Sequence, residues 1–252
     1  VISAFFTFLN RIRQWNRGRR HRNTWRRYEN LPTSQVFEKI YEEGEWGRAA
    51  HEDRKYYSGS GSVGEVASSL YKEALQAFLV AISDIRTTYE QKLSVVDVGC
   101  GDFFVGSQIR PLFGTYVAVD VAANVIAYNR EKHADRGVDF RVLNVITDEL
   151  PVADVYLIRQ VLQHLSNSDI KHALGHLSKG CRYLIVTEHV PSTEAFEPNV
   201  DITTGPETRL AHSSAVVLTA APFNFVPLAQ QTLLDVPGRH GRLVTVAYTL
   251  QS

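Results

Sequence analysis

The chain has 252 residues with 27 Lys+Arg against 27 Asp+Glu, 44% hydrophobic and 10% aromatic residues, two Cys and no Met. That length and apolar content suit one α/β domain of generous size and exclude a disordered chain, a collagen and a disulfide-stapled miniprotein. Cys100 and Cys181 stand in apolar surroundings, so they are expected buried and reduced, in a cytoplasmic setting, with neither a disulfide nor a metal cluster.

The neutral total hides an asymmetry. Residues 1–30 hold eight Arg and one acid, a surplus of +7, which leaves −7 for the rest of the chain. The extension, residues 1–33, opens with an apolar run, Val1 to Leu9, far short of the ~20 residues a membrane span needs. Three readings stay open for it. It suits a segment lying peripherally on an anionic membrane, an arm on nucleic acid, or a helix packing Phe5, Phe8, Leu9 and Ile12 on its own body or on a second copy. A secretory signal is not expected, because the charges follow the apolar run and no small-residue cleavage site comes after it.

Residues 34–44 carry Val36, Phe37, Ile40 and Tyr41 at helical spacing, with Ser34 as cap and Gly44 as stop. The loop Glu45-Trp46-Gly47 follows, then the Ser/Gly stretch 57–62. From residue 65 to about 89 the apolar positions Val66, Leu70, Leu75, Phe78, Leu79, Ile82 and Ile85 predict a long amphipathic helix. Residues 34–90 thus read as a helical cap on a core spanning 91–252.

The core alternates. Strands are expected at 93–98, 116–121, 140–143, 155–158 and 183–187, with helices at 104–112, 125–133 and 168–177 between them. Such alternation implies a parallel sheet covered on both faces. Residues 232–236 and 243–250 flank a Pro-Gly turn and read as a terminal antiparallel pair. The irregular stretch 191–227 reads as a lid or binding element.

The strongest chemical signal is Val95-Val96-Asp97-Val98-Gly99-Cys100-Gly101-Asp102, a buried strand ending in Gly-x-Gly where a helix should begin. Ligands of open α/β sheets bind beyond the carboxyl ends of strands, and glycines there let a ligand approach the backbone. A dinucleotide fingerprint needs a third glycine where Phe104 stands. Asp97 and Asp102 would also repel a pyrophosphate. A cationic ligand part fits better, such as the sulfonium and amino group of S-adenosylmethionine. Asp120 ends the second strand 19 residues after Gly101, placed to accept from both ribose hydroxyls.

These residues resemble a family. Asp-Val-Gly-Cys-Gly-Asp, then Val-Ala-Val-Asp, then Asp154 to Leu165 look like the successive motifs of class I S-adenosylmethionine-dependent methyltransferases, over roughly residues 93–190. More loosely, Ile40-Tyr41-x-x-Gly44-x-Trp46-Gly47 and Ser58 to Ser62 look like a bacterial-type subgroup acting on sugars or other small molecules. The resemblance implies a Rossmann-like three-layer sandwich, a seven-stranded, mostly parallel sheet with its last strand antiparallel, plus the N-terminal helical cap. It implies Gly99, Cys100 and Gly101 against the methionine part, Asp97 near its amino group with Asp102 beside it, and Asp120 with Val121 at the ribose. Asn144 and Val145 would meet the adenine, Arg159 and Gln160 the sulfonium side, and Ser60 the carboxylate.

Methyl transfer is an in-line displacement, so the protein mainly aligns donor and acceptor and removes a proton where needed. His164 and His189, after the fourth and fifth strands, are the candidate bases. Asp201, Arg209 and His212 in the irregular stretch are candidates for binding the acceptor. His172 and His176 have metal-pair spacing but lack the Glu of His-Glu-x-x-His, and no metal is expected. The reading is a methyltransferase whose acceptor is a small molecule, a sugar or other hydroxyl ahead of an amine or carboxyl, with S-adenosylhomocysteine as coproduct. Two alternatives are an RNA methyltransferase using the Arg-rich extension, disfavoured by the body's −7, and a methyltransferase-like binding module without catalysis.

Overall fold

A computed structural model describes residues 27–28, 30–48, 54–59, 65–82, 92–193, 195–238 and 241–251. The Arg-rich run through residue 26, Ser60 with Gly61 and Ser62, and the part of the expected long helix beyond residue 82 lie outside the described residues.

Helix α1 (Thr33–Glu43) buries Val36, Phe37, Ile40 and Tyr41, and Gly44 ends it at φ 67° with its N–H on the Ile40 carbonyl. Only a residue without a Cβ adopts that left-handed stop at no cost. The expected Ser34 cap is not used; the helix starts one residue earlier, after Pro32, with no side-chain cap. Pro32 has no N–H of its own to leave unpaired there, and its fixed φ suits the entry to the helix. Helix α2 (Glu65–Ile82) follows.

The core runs β1 (Val95–Val98), α3 (Phe104–Ile109), β2 (Tyr116–Asp120), α4 (Ala123–Lys132), β3 (Asp139–Val142), β4 (Val155–Arg159), α5 (Asn167–Leu177), β5 (Tyr183–Val190), β6 (Ala229–Gly238) and β7 (Gly241–Thr249). Helix α3 is shorter than the expected 104–112 because Pro111 cannot donate an α-helical bond, and Arg110–Leu112 tighten into a 3-10 turn. Helix α5 is capped by the Ser166 hydroxyl, which accepts from Asp169 N.

The seven described strands form one sheet in the order β3-β2-β1-β4-β5-β7-β6. Strands β1 to β5 are parallel, and β7 runs antiparallel between β5 and β6. One face packs Val96, Val98, Ile158 and Val186 against Ile170, Ala173 and Leu177 of α5. The other packs Val95, Leu157 and Ile185 against Tyr71, Leu75, Phe78 and Leu79 of α2. Each large aliphatic side chain so buried contributes about 1.5–3 kcal/mol. Strand β1 lies between β2 and β4, so the chain reverses its direction of winding there and a crevice opens beyond the strand ends.

The stretch 191–227 carries a 3-10 turn, Arg209–His212. It is more than a surface loop, since Ile202, Arg209, Ser214, Ala215, Val216 and Leu218 are buried. Buried Asn199 substitutes for regular structure: its Oδ1 accepts from Val217 N, and its Nδ2 donates to the Val217 and Ala221 carbonyls. No described helix is long and apolar enough to cross a membrane.

Candidate active site

The cleft lies beyond the carboxyl ends of β1, β2, β3 and β4 and encloses about 790 Å³ of space between atoms, part of it open to solvent. Its floor begins at Gly99, whose N–H, like that of Cys100, donates to the Val119 carbonyl and folds the turn back onto β2. Gly99 sits at φ 69°, and a Cβ there would collide with the Val161 side chain. The backbone can therefore approach a ligand as no other residue would allow.

Asp120 lines the cleft at the end of β2. Its Oδ2 accepts from Gly101 N at 3.0 Å and its Oδ1 from Ala122 N at 2.9 Å. Burial raises its pKa to about 6, against the pull of these donors. Each carboxylate oxygen keeps capacity for a further bond. Val121, Asn144 and Val145 continue the wall. Asn144 closes a local turn through its side-chain oxygen, which accepts from Ile146 N.

Arg159 and Gln160 line the cleft past β4, with Gln160 at φ 57°. The 3-10 turn Leu162–His164 follows and delivers His164 to the cleft. The His164 Nδ1 lies 2.9 Å from the Glu207 carbonyl. A carbonyl only accepts, so Nδ1 carries the proton and Nε2, unprotonated, accepts from the Gln163 amide nitrogen at 3.4 Å. Burial lowers the imidazole to about 4, so it is neutral at pH 7.

The roof comes from the N-terminal segment. Thr33, Phe37, Tyr41, Trp46 and Ser58 line the cleft. The Trp46 ring lies 5.2 Å from Tyr41 edge-on, 6.1 Å from Phe37 and 4.8 Å from His164. Its indole N–H donates to the Pro206 carbonyl at 3.0 Å, tying α1's loop to the stretch 191–227. Residues 54–59 form a strap over the glycine turn. Arg54 pairs with Asp102 and covers the Phe104 ring, while the Ser58 hydroxyl donates to Asp102.

Of the candidate residues, the structure brings Gly99, Cys100, Asp120, Val121, Asn144, Val145, Arg159, Gln160 and His164 together in the cleft. It puts others elsewhere, and each has a physical reason. Asp97 points to the α2 side of the sheet and accepts from the Tyr116 hydroxyl at 2.8 Å, its pKa raised by burial. Gly101 faces Ser58 and Tyr41, where a Cβ would clash with the strap. Asp102 is neutralised by Arg54 instead of facing a ligand. His189 pairs opposite Leu243 and packs beside Gly238, at the β6–β7 end.

The acceptor candidates are corrected as well. Arg209 is 1% exposed and donates to the carbonyls of Leu162, Gln163, Leu165 and Val200, so it holds backbone and not an acceptor. Asp201 accepts from Asn167 N, and His212 is exposed. Ser60 lies outside the described residues. Among the described residues no group of three or more His, Cys, Asp or Glu is arranged to hold a metal ion.

Sequence reasoning passed over Thr33, Val161 and Leu165 on the cleft wall, and Glu188 behind it. Glu188 accepts from Leu162 N and Gln163 N, and burial pushes it up to about 8, against the pull of these amides and of Arg209. A lone acid in an apolar strand, Val186-Thr187-Glu188, was the available signal.

Residues 96–182 match the family model described as a methyltransferase domain. The matched segment runs from within β1 through α5 and holds nearly all the cleft floor. No curated protein matches the chain by sequence. Among solved structures the chain resembles the N-methyltransferase NodS from Bradyrhizobium japonicum WM9 in complex with S-adenosyl-L-homocysteine. There the TM-score is 0.57 at 11% identity, over 86% of this chain and 97% of that one. The DhpI complex with S-adenosylhomocysteine gives 0.53 at 13% identity, over 86% and 95%. Magnesium protoporphyrin IX methyltransferase from Synechocystis PCC 6803 with bound S-adenosylmethionine gives 0.51 at 14% identity, over 88% and 99%. At these identities the likeness speaks for the fold, the class I methyltransferase sandwich.

Proposed function

We propose that the chain is an S-adenosylmethionine-dependent methyltransferase whose acceptor is a small, uncharged, hydroxyl-bearing molecule. The observation that carries the reading is one cleft in which Gly99, Asp120, Asn144 and Gln160 follow one another at the ends of adjacent strands, within a methyltransferase domain. The donor set fits the cofactor. Gly99 admits close approach of the methionine part, and the Asp120 oxygens take ribose hydroxyls. Asn144 and Val145 meet the base, Asn144 through the NH₂ that its local turn leaves over. The Arg159 guanidinium suits the carboxylate and not the sulfonium, since like charges repel.

When bound, the cofactor supplies a methyl group already activated by its sulfonium. The chain's own residues then align the acceptor, exclude water and take up a proton. His164 suits that last task through its unprotonated Nε2, which would exchange the long Gln163 bond for the acceptor hydroxyl. A hydroxyl becomes strongly acidic only as its oxygen gains the methyl group, so a base of low pKa suffices at that moment. Among the residues lining the cleft, Asp120 and Arg159 are the formal charges. Such a wall favours an uncharged acceptor over a phosphodiester chain, which needs several cations.

Calorimetry with S-adenosylmethionine and S-adenosylhomocysteine tests the cofactor. Binding in the micromolar range is expected for the wild type, weakened about 100-fold in Asp120→Ala, since bonds to a charged group contribute about 1.5–3 kcal/mol each. No binding to the wild type overturns the reading. Coproduct release with neutral glycosides and phenols, set against their phosphorylated counterparts and RNA, tests the acceptor class.

A further inference from the structure

The turn that carries His164 is a single turn of 3-10 helix, too short to hold its own shape. Two buried polar side chains, a carboxyl and a guanidinium, grip its two ends, and they come from different parts of the chain. At the start, Glu188 of β5 accepts from Leu162 N at 3.0 Å and Gln163 N at 3.2 Å. At the end, Arg209 donates through Nη1 to the Leu162 and Gln163 carbonyls, at 3.1 and 3.4 Å. Its Nη2 reaches the Leu165 carbonyl and the Asn167 Oδ1, both at 2.8 Å, and its Nε the Val200 carbonyl at 3.1 Å.

The carboxyl takes up the amides at the start of the turn and the guanidinium the carbonyls at its end, groups that so short a turn cannot pair within itself. The planar fork of Arg209 reaches four carbonyls and a side-chain amide at once, which an ammonium group cannot do. Stability alone does not explain the pair. Burying a carboxyl and a guanidinium carries a desolvation cost that apolar side chains of similar volume avoid, and what this pair adds is a set of bonds that fix the turn. Neither side chain lines the cleft, yet the turn between them delivers His164, and Gln160, Val161 and Leu165 of the cleft wall flank it.

We propose that Glu188 and Arg209 are a positioning pair for methyl transfer, acting through the Leu162–His164 turn to hold the His164 imidazole at the cleft with Nε2 unprotonated. The proposal rests on the methyltransferase reading above. It assigns the pair no contact with cofactor or acceptor, and it gives Arg209 a role other than the acceptor binding expected from the sequence.

The test is NMR of the full chain labelled with ¹⁵N-histidine, with the His164 signals identified by their loss in His164→Gln. The wild type is expected to give the Nδ1–H tautomer alone. In Arg209→Met and Glu188→Met, each checked for folding by circular dichroism, His164 is expected to populate both tautomers. Its proton affinity should rise about tenfold or more toward that of free imidazole. Arg209→Lys and Glu188→Gln, which restore part of the bonding, should recover part of the wild-type spectrum. Affinity for S-adenosylhomocysteine should change by less than about threefold, because the Asp120 side of the cleft is untouched.

An unchanged His164 spectrum in folded Arg209→Met and Glu188→Met overturns the proposal. Should those variants not fold, wild-type hydrogen exchange decides: the amides of Leu162 and Gln163 should exchange as slowly as those of core β5, and fast exchange there overturns it. Loss of the methyltransferase reading would register separately, as absence of S-adenosylhomocysteine binding by the wild type.

Discussion

The floor and the roof of the cleft are built in opposite ways. The floor is a row of strand ends: Gly99, Asp120, Asn144 and Gln160 stand where parallel ladders stop, and backbone hydrogen bonds set their spacing. The roof is assembled by side chains from segments far apart, through Trp46 on Pro206, His164 on Glu207 and Arg54 on Asp102. A floor made of ladders changes only if the fold changes. A roof made of side chains can be altered residue by residue, and acceptor choice can vary there without disturbing the cofactor site.

The largest expected effect tests the floor. Gly99→Val puts a β-branched side chain at a positive φ and against Val161, so S-adenosylhomocysteine affinity should fall at least about 100-fold by calorimetry, strain of this kind costing about 1–3 kcal/mol before any clash. Near-normal affinity would mean that the glycine turn yields and that the floor is as adaptable as the roof.

The next effect belongs to the wall between them and is read as stability against pH. Glu188 has its pKa raised to about 8 by burial, so the folded state holds its proton more tightly than the unfolded chain does. Its contribution is full below the unfolded value and is lost as pH rises toward 8. Asp120, raised to about 6, acts the same way at lower pH, and His164, lowered to about 4, acts oppositely below its ordinary value. Between pH 6.5 and 8 the small remaining effects of Asp120 and of the unfolded-state His164 oppose each other, and Glu188 dominates. Stability should therefore drop by on the order of 1–2 kcal/mol between pH 6.5 and 8, and Glu188→Gln should flatten that drop in denaturant titrations. An equal slope in the variant would remove Glu188 as its source.

Trp46→Ala tests the roof and is expected to be smaller. It removes one indole-to-carbonyl bond, worth about 0.5–1.5 kcal/mol, so amide exchange around residues 206–209 should quicken by roughly 2- to 10-fold. Cofactor affinity should move little. A loss as large as that of Gly99→Val would make the roof part of the cofactor site.

The same contrast explains what the sequence revealed. The strand-helix alternation, the antiparallel pair and the floor residues were legible because parallel strands put one residue type at each strand end, a local pattern. Asp97 misled, because period-two alternation turns it to the face opposite Val98, onto Tyr116. Arg209 misled because an Arg in an irregular stretch reads as surface, and only the fold supplies the four carbonyls that bury it. Trp46 entered only through resemblance, since its partners stand 118 and 160 positions away at His164 and Pro206.

The smallest expected effect separates fold stability from the cleft. Gly175 sits within α5, on its solvent side, with a helical φ and nothing within 4 Å of where a Cβ would be. Alanine there removes the entropic cost of glycine in a helix and meets no neighbour, so Gly175→Ala should stabilise the protein by about 0.5–1 kcal/mol. S-adenosylhomocysteine affinity should stay the same, because α5 meets the cleft only through the turn before it and that turn is held from both ends by Glu188 and Arg209. A gain in stability accompanied by a change in affinity would mean that α5 itself transmits to the cleft. The wall would then belong with the adaptable roof and not with the floor.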